Sequence, residues 1–207
     1  MNFVIAVNNE KILKENRKGD SSISSSLYII QRKYKNIPKA YNDAISKCDQ
    51  EYICFLHQDV FLPGGWLYKV RKQIKKIPDG WGVLGVAGVA LRDNEKLFLG
   101  NIRDRGCQWG TNLGLPAEVD TLDELLLIIK NDGTLKFDEG TKNHFYGADI
   151  CTQAKLQGKK CYAIDAYCHH NSTHGGELPP DFWKSFEYMK NKYKDILPIG
   201  TTCTVVQ

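Results

Sequence analysis

The chain has 207 residues, 42% of them hydrophobic and 25% charged, with a formal net charge of +4 at pH 7. This length and hydrophobic share suit one globular domain, 1–207, with a core of its own. The modest charge, carried in "VRKQIKKIPDG" and "MKNKYKDIL" at the spacing of a solvated helix face and without a recognition motif, argues against a nucleic-acid partner.

The seven cysteines are odd in number, scattered and mostly set in apolar stretches, which argues against a secreted disulfide framework and for a reducing, cytoplasmic setting. The apolar run "FVIAV" near the N-terminus is too short for a signal segment or a membrane span, so no transmembrane segment is expected there.

In chain order, "FVIAV" reads as a buried strand that stops in a loop at Asn8 and Asn9. Polar "GDSSISSS" is a turn region before a second short strand, "LYII". "IPKAYNDAISKC" places Pro38 in the first turn of a helix whose stripe is Ala40, Ala44, Ile45 and Cys48. "YICFL" is a strand, and "GGWLYKVRKQIKKI" puts Trp66, Val70, Ile74 and Ile77 on one helix face.

"WGVLGVAGVAL" reads as one central strand whose glycines allow close packing. The stretch from Lys96 to Gly133 predicts a small antiparallel annex. "FYGADICTQAKLQG" is a helix with Gly158 as its stop, followed by a strand around Tyr162 to Ala166, and "PPDFWKSFEYMKNKYKDIL" is a last helix beginning at Pro180. Strands alternating with helices predict an α/β fold with a mixed sheet flanked by helices.

In such folds ligands collect beyond the carboxyl ends of the strands. Asn8, Asp59 and His169 each follow a predicted strand end. A carboxylate with an imidazole suits Mn²⁺ or Mg²⁺ shared with a diphosphate, which supplies the remaining oxygens. Other readings of the same residues stay open. Asp59 could cap the helix near Pro63, and His169 and His170 could be ordinary polar residues or, with Cys161, Cys168 and His174, a zinc site. Asp149 could serve only the dipole of its helix.

Taken in order, "VNNE", "AYNDAI", "CFLHQDVFLPGGWL", "GVAGVAL", "VDTLDELLLIIKNDGTLKFDE" and "HFYGADICTQAKLQGKKCYAIDAYCHHNS" resemble the GT-A glycosyltransferases of the family-2 type. The nearer likeness is to the glycosyltransferase-like family named after a streptomycin-biosynthesis protein. The resemblance implies a GT-A fold and metal-dependent, inverting transfer of a sugar from a nucleotide diphosphate, expected to be UDP, to a hydroxyl of a saccharide or lipid-linked acceptor. It implies Mn²⁺ or Mg²⁺ held by Asp59 and His169, with His170 the near competitor and His57 a helper. Val7, Asn8, Asn9, Asn42, His57 and Gln58 would border the nucleotide, and the loop from Asn171 to Pro180 would roof it.

Three departures from that family's pattern stand out. His57 replaces the first aspartate of the metal motif, and "IIQRK" lacks the acidic residue that reads the base. The base aspartate aligns with Gly147, which leaves Asp149, or else Asp138 or Glu139, as the catalytic carboxylate. Two other functions therefore compete with transfer: a non-catalytic nucleotide-sugar-binding or scaffold protein, and a nucleotidyltransferase. The apolar stripe Trp183, Phe186, Met189, Tyr193 and Leu197, if exposed beside its lysines, would suit peripheral contact with the inner face of a membrane.

Overall fold

Strand β1 (Asn2–Val7) leads into α1 (Glu10–Asn16), β2 (Tyr28–Arg32), α2 (Ile37–Ile45) and β3 (Tyr52–Leu56), and the short β4 (Val60–Phe61) precedes α3 (Trp66–Ile74) and β5 (Trp81–Gly85). Then come β6 (Ala87–Arg92), β7 (Glu95–Gly100), β8 (Ile102–Asp104), β9 (Cys107–Trp109), β10 (Ala117–Val119), β11 (Thr121–Leu122) and β12 (Leu126–Lys130). The chain continues with α4 (Tyr146–Leu156), β13 (Lys160–Ala163), β14 (Cys168–His170), α5 (Pro180–Lys192), β15 (Ile199–Gly200) and β16 (Val205–Val206). This computed structural model describes residues 1–17, 19, 21–93, 95–172 and 178–207.

The main sheet has the order β10-β13-β5-β12-β3-β1-β2. Strand β1 runs parallel to β2 and β3, whereas β12 runs antiparallel to both β3 and β5, so the sheet is mixed, as the alternation of elements predicts. Its central strands are apolar on both faces because both faces are covered. Phe3, Ile5 and Val7 of β1, Cys54 and Leu56 of β3, and Leu126 and Ile128 of β12 join Trp66 and Val70 of α3 in one core layer. The alternate residues Val4, Ile53, Phe55, Leu127 and Ile129 join Tyr41 of α2 and Tyr146, Ile150 and Ala154 of α4 in the other. Period-two alternation thus feeds two helix layers from single strands. Trp66, fully buried with its Nε1–H donating to Ala166 O at 3.0 Å, anchors the first layer. Burial of such a side chain contributes about 1.5–3 kcal/mol.

Four expectations change. Asn8 and Asn9 open a helix, not only a loop: Asn9 Oδ1 accepts from the Lys11 and Ile12 amides and caps α1. "WGVLGVAGVAL" forms two strands, since the pairing partner changes at Val86: β5 lies in the main sheet between β12 and β13, while β6 pairs with β7 and β11. Gly88 permits that second sheet, because a Cβ there would lie 2.7 Å from Thr121 O. "LLIIK" belongs not to an annex but to the middle of the main sheet as β12. The strand expected near Tyr162 ends at Ala163, and the two histidines lie on a separate strand, β14, in a four-stranded sheet ordered β4-β14-β8-β9.

The last helix packs through Phe182 and Met189, with Tyr193 just beyond it, against Phe145 and Ala148 at the start of α4. Of the predicted stripe, Met189 and Tyr193 are buried, Phe186 and Leu197 pack at the cluster's edge, and Trp183 is 49% exposed. No helix among the described residues is long and apolar enough to cross a membrane.

Candidate active site

The site is built where the parallel strands β1 and β3 end. Beyond them lies a cleft of about 860 Å³ whose lining includes Val7, Asn8, Asn9, His57, Gln58 and Asp59. Gln58 ties its two rims together. Its Oε1 accepts from the amides of Asn8 at 3.1 Å and Asn9 at 3.0 Å, and its Nε2 donates to Asn8 Oδ1. The Val7–Asn9 turn is therefore clamped to the end of β3 by one side chain.

Asp59 precedes β4, and β4 pairs antiparallel with β14 so that His170 lies opposite Val60 and His169 opposite Phe61. Adjacent residues of a strand point to opposite faces. That register sends His170 toward Asp59 and His169 into edge-on contact with the rings of Phe61 and Tyr167. Hence the structure gathers His57, Asp59 and His170, with ligand-capable atoms all within 4.8 Å of one another, and leaves His169 outside the group. The sequence could not separate two neighbouring histidines; the pairing register does.

The electrostatics match a cation site. Asp59 Oδ1 is buried with no hydrogen-bond partner among the described residues, and His170 Nε2 stands 3.5 Å from it. Burial pushes the Asp59 carboxyl up, but His170, aided by His57, outweighs this and holds it below its ordinary value. Burial would likewise lower the His170 imidazole, yet Asp59, Asp123 and Asp104 together raise it. Burial and then the neighbouring His170 depress His57. The His57 ring is fixed by a 2.6 Å hydrogen bond between Nε2 and the hydroxyl of the fully buried Tyr146.

Other predicted site residues fall elsewhere. Asn42 does not face the cleft: its Nδ2 donates to Phe137 O at 2.8 Å and its Oδ1 accepts from Phe137 N at 3.0 Å, locking α2 to the segment after β12. Asp149 is completely buried in the first turn of α4. There it accepts from Lys192 Nζ and Gln153 Nε2, each at 2.5 Å, and from the Tyr193 hydroxyl at 2.8 Å. A carboxylate so enclosed has no path to a sugar hydroxyl, and Asp149 is a structural anchor for α5. Asp138 is bound by Lys192, Tyr188 and the Gly140 amide, and Glu139 accepts from Asn42 Nδ2 at 3.4 Å.

The helix-capping alternative for Asp59 fails, since the cap of α3 is Gly65 with φ +77°. The cysteine-histidine zinc set is not assembled among the described residues. Cys161 and Cys168 are buried in different core layers, and His174, like the loop segment 173–177, lies outside the described residues. All seven cysteines are free.

Sequence reasoning passed over Asp104, which contacts His170, and Glu124, which lines an adjoining pocket with His57. Asp104 lies on β8, whose parallel pairing with β14 places it opposite His170, with 3.3 Å between its Oδ1 and His170 Nδ1. Nothing local marks it. Glu124 sits in "VDTLDELLL", whose charged pair before an apolar run was a visible signal.

Among solved structures, GalNAc-T7 with UDP, GalNAc and Mn²⁺ superposes with a TM-score of 0.60 at 12% identity, covering 94% of this chain and 49% of that one. TarS from S. aureus in complex with UDP-GlcNAc gives 0.56 at 14% identity, covering 93% and 66%. These likenesses establish the GT-A fold. A curated relative, the protein of "ATP synthase subunits region ORF 6" from Fuscovulum blasticum, is 29% identical over a 173-residue alignment that covers 76% of this chain and 66% of that protein. The chain thus spans about half to two thirds of the proteins it resembles. Residues 2–175, which hold β1, the strand-end cluster and β14, match the glycosyltransferase-like family, and the chain belongs to that family.

Proposed function

We propose that this protein transfers a sugar, with inversion, from a nucleotide-diphosphate donor, UDP-linked, to a hydroxyl of a saccharide or lipid-linked acceptor. The observation that carries this reading is the grouping of His57, Asp59 and His170 at the mouth of the cleft beyond β1 and β3. The residues fit a divalent cation: Asp59 presents a buried oxygen with no hydrogen-bond partner among the described residues, flanked by two imidazoles. Two nitrogens and one oxygen favour Mn²⁺ over Mg²⁺, which prefers an all-oxygen shell. When bound, the cation would neutralise charge on the departing diphosphate.

The chain's own residues supply the rest. Asn8 and Asn9, held by Gln58, border the side of the cleft where a nucleotide would lie, and Tyr34 and Lys35 line the same space. The GT-A relatives solved with UDP, GalNAc and Mn²⁺ and with UDP-GlcNAc support a UDP-linked donor. The free cysteines support a cytoplasmic setting, and half-exposed Trp183 on α5 leaves room for peripheral contact with a membrane face.

Calorimetry of UDP binding with and without Mn²⁺, on wild type and Asp59→Ala, tests the reading. Binding that requires both Mn²⁺ and Asp59 is expected; no binding of UDP by wild type under either condition would overturn it.

The enclosure of Asp149 favours one other reading, a protein that binds a nucleotide-sugar without turning it over. Release of UDP from UDP-GlcNAc or UDP-GalNAc by wild type separates the two: the binding-only protein releases none.

A further inference from the structure

Inverting transfer needs a carboxylate able to take a proton from the acceptor hydroxyl. The candidate carboxylates differ in how free they are. Asp59 belongs to the cation cluster, and Asp104 is held by His170, Ser172 and Arg105. Both Asp123 oxygens are engaged, Oδ1 by the Leu125 amide at 3.0 Å and Oδ2 by the Thr202 hydroxyl at 2.7 Å. Asp149 is enclosed, and Asp181, exposed on α5, pairs with His144 at 3.4 Å.

Glu124 is different. It lines a second pocket, of about 160 Å³, which shares His57 with the main cleft and is also walled by Ala148, Phe182 and Thr202. Its Oε1 accepts from the Gly147 amide at a long 3.4 Å, the Tyr146 and Phe145 amides also act on its carboxylate, and no side chain among the described residues donates to it. Gly147 leaves it that place: a Cβ on residue 147 would come within 2.9 Å of Glu124 Cγ and 2.6 Å of Leu122 O.

Building on the nucleotide-sugar reading, we propose that Glu124 is the general base of the transfer and that residue 147 is glycine because the Glu124 side chain fills that corner. The acceptor oxygen forms its bond to the anomeric carbon as the bond from that carbon to the diphosphate oxygen breaks. The electron pair of the broken bond leaves with UDP, and the hydroxyl proton passes to Glu124. Burial, with the adjacent Asp123 carboxylate adding to it, raises Glu124 to about 8, against the lowering effect of the Gly147, Tyr146 and Phe145 amides. A carboxylate with that affinity for a proton is a far stronger base than an exposed glutamate.

A purely structural role, capping α4 through those amides, is the competing explanation, and Glu124→Gln discriminates because it keeps the accepting oxygen while removing the base. The experiment measures Mn²⁺-dependent UDP binding and UDP release from UDP-GlcNAc and UDP-GalNAc, with water and with simple saccharides as acceptors, on the full chain. Expected are UDP binding within about two-fold of wild type and a loss of release of roughly 100-fold or more. Glu124→Ala should regain part of the release when formate is added, and Glu124→Asp should retain a measurable rate. Unchanged release by a Glu124→Gln protein that binds UDP would overturn the assignment. So would a wild type that binds UDP but releases none from either donor, which would leave nucleotide binding standing. Failure of wild type to bind UDP at all would instead overturn the underlying reading and this assignment with it.

Discussion

His170 stands between two carboxylates, with Nε2 3.5 Å from Asp59 Oδ1 and Nδ1 3.3 Å from Asp104 Oδ1. An imidazole that offers one nitrogen to a cation and the other to a carboxylate is oriented and made more basic by that carboxylate. Asp104→Asn is therefore expected to weaken Mn²⁺ affinity by about 10-fold or more while leaving the fold intact. Titration of Mn²⁺ into the protein in the presence of UDP measures it.

The register of β4 with β14 distinguishes the two neighbouring histidines. His170→Ala should reduce Mn²⁺-dependent UDP binding by more than the roughly 10–100-fold typical of losing a supporting residue. His169→Ala, which among the described residues removes ring contacts with Phe61 and Tyr167 and no cluster ligand, should leave it within about two-fold, a change too small to signal a lost metal ligand. Equal losses in both variants, read by calorimetry, would contradict the register.

Asp149 should matter to stability rather than to nucleotide binding. Asp149→Ala removes the acceptor for Lys192 and Tyr193 at the junction of α4 and α5. Breaking a buried charge pair costs about 3–5 kcal/mol, and because Lys192 keeps Asp138 the lower end is expected. Urea denaturation gives the loss of stability, and UDP binding by the folded fraction should be unchanged.

Glu124 also gives a pH signature. Its folded value of about 8 lies above the ordinary 4.5, so between these values the folded state holds a proton that the unfolded state has released. Its contribution to stability is thus greatest below 4.5 and declines as pH rises toward 8. UDP release, which needs the deprotonated form, should rise over the same upper range. The groups that share its pocket are Asp123, His57 and Cys203, so the comparison is wild type against Glu124→Gln across pH, which cancels their common titration. Stability curves of the two proteins that run parallel from pH 5 to 8 would show that Glu124 is not raised.

Much of this protein could be read from the chain. Apolar runs such as "FVIAV" and "YICFL" specify strands buried on both faces, and the spacing of Trp66, Val70 and Ile74 specifies a helix, because both depend on local period. Asp59 was visible for the same reason, as the polar end of an apolar run.

What the chain could not reveal depended on pairing between distant segments. The place of "LLIIK" at the centre of the sheet, the choice of His170 over His169, and the support of Asp104 all follow from strand registers joining segments far apart in sequence. Asp149 looked chemically available until α5 folded over it with Lys192 and Tyr193. Glu124 gained its setting only when the start of α4 closed against it at Gly147. Local periodicity determined the elements; tertiary packing decided which polar side chains meet, because burial and distance set their chemistry.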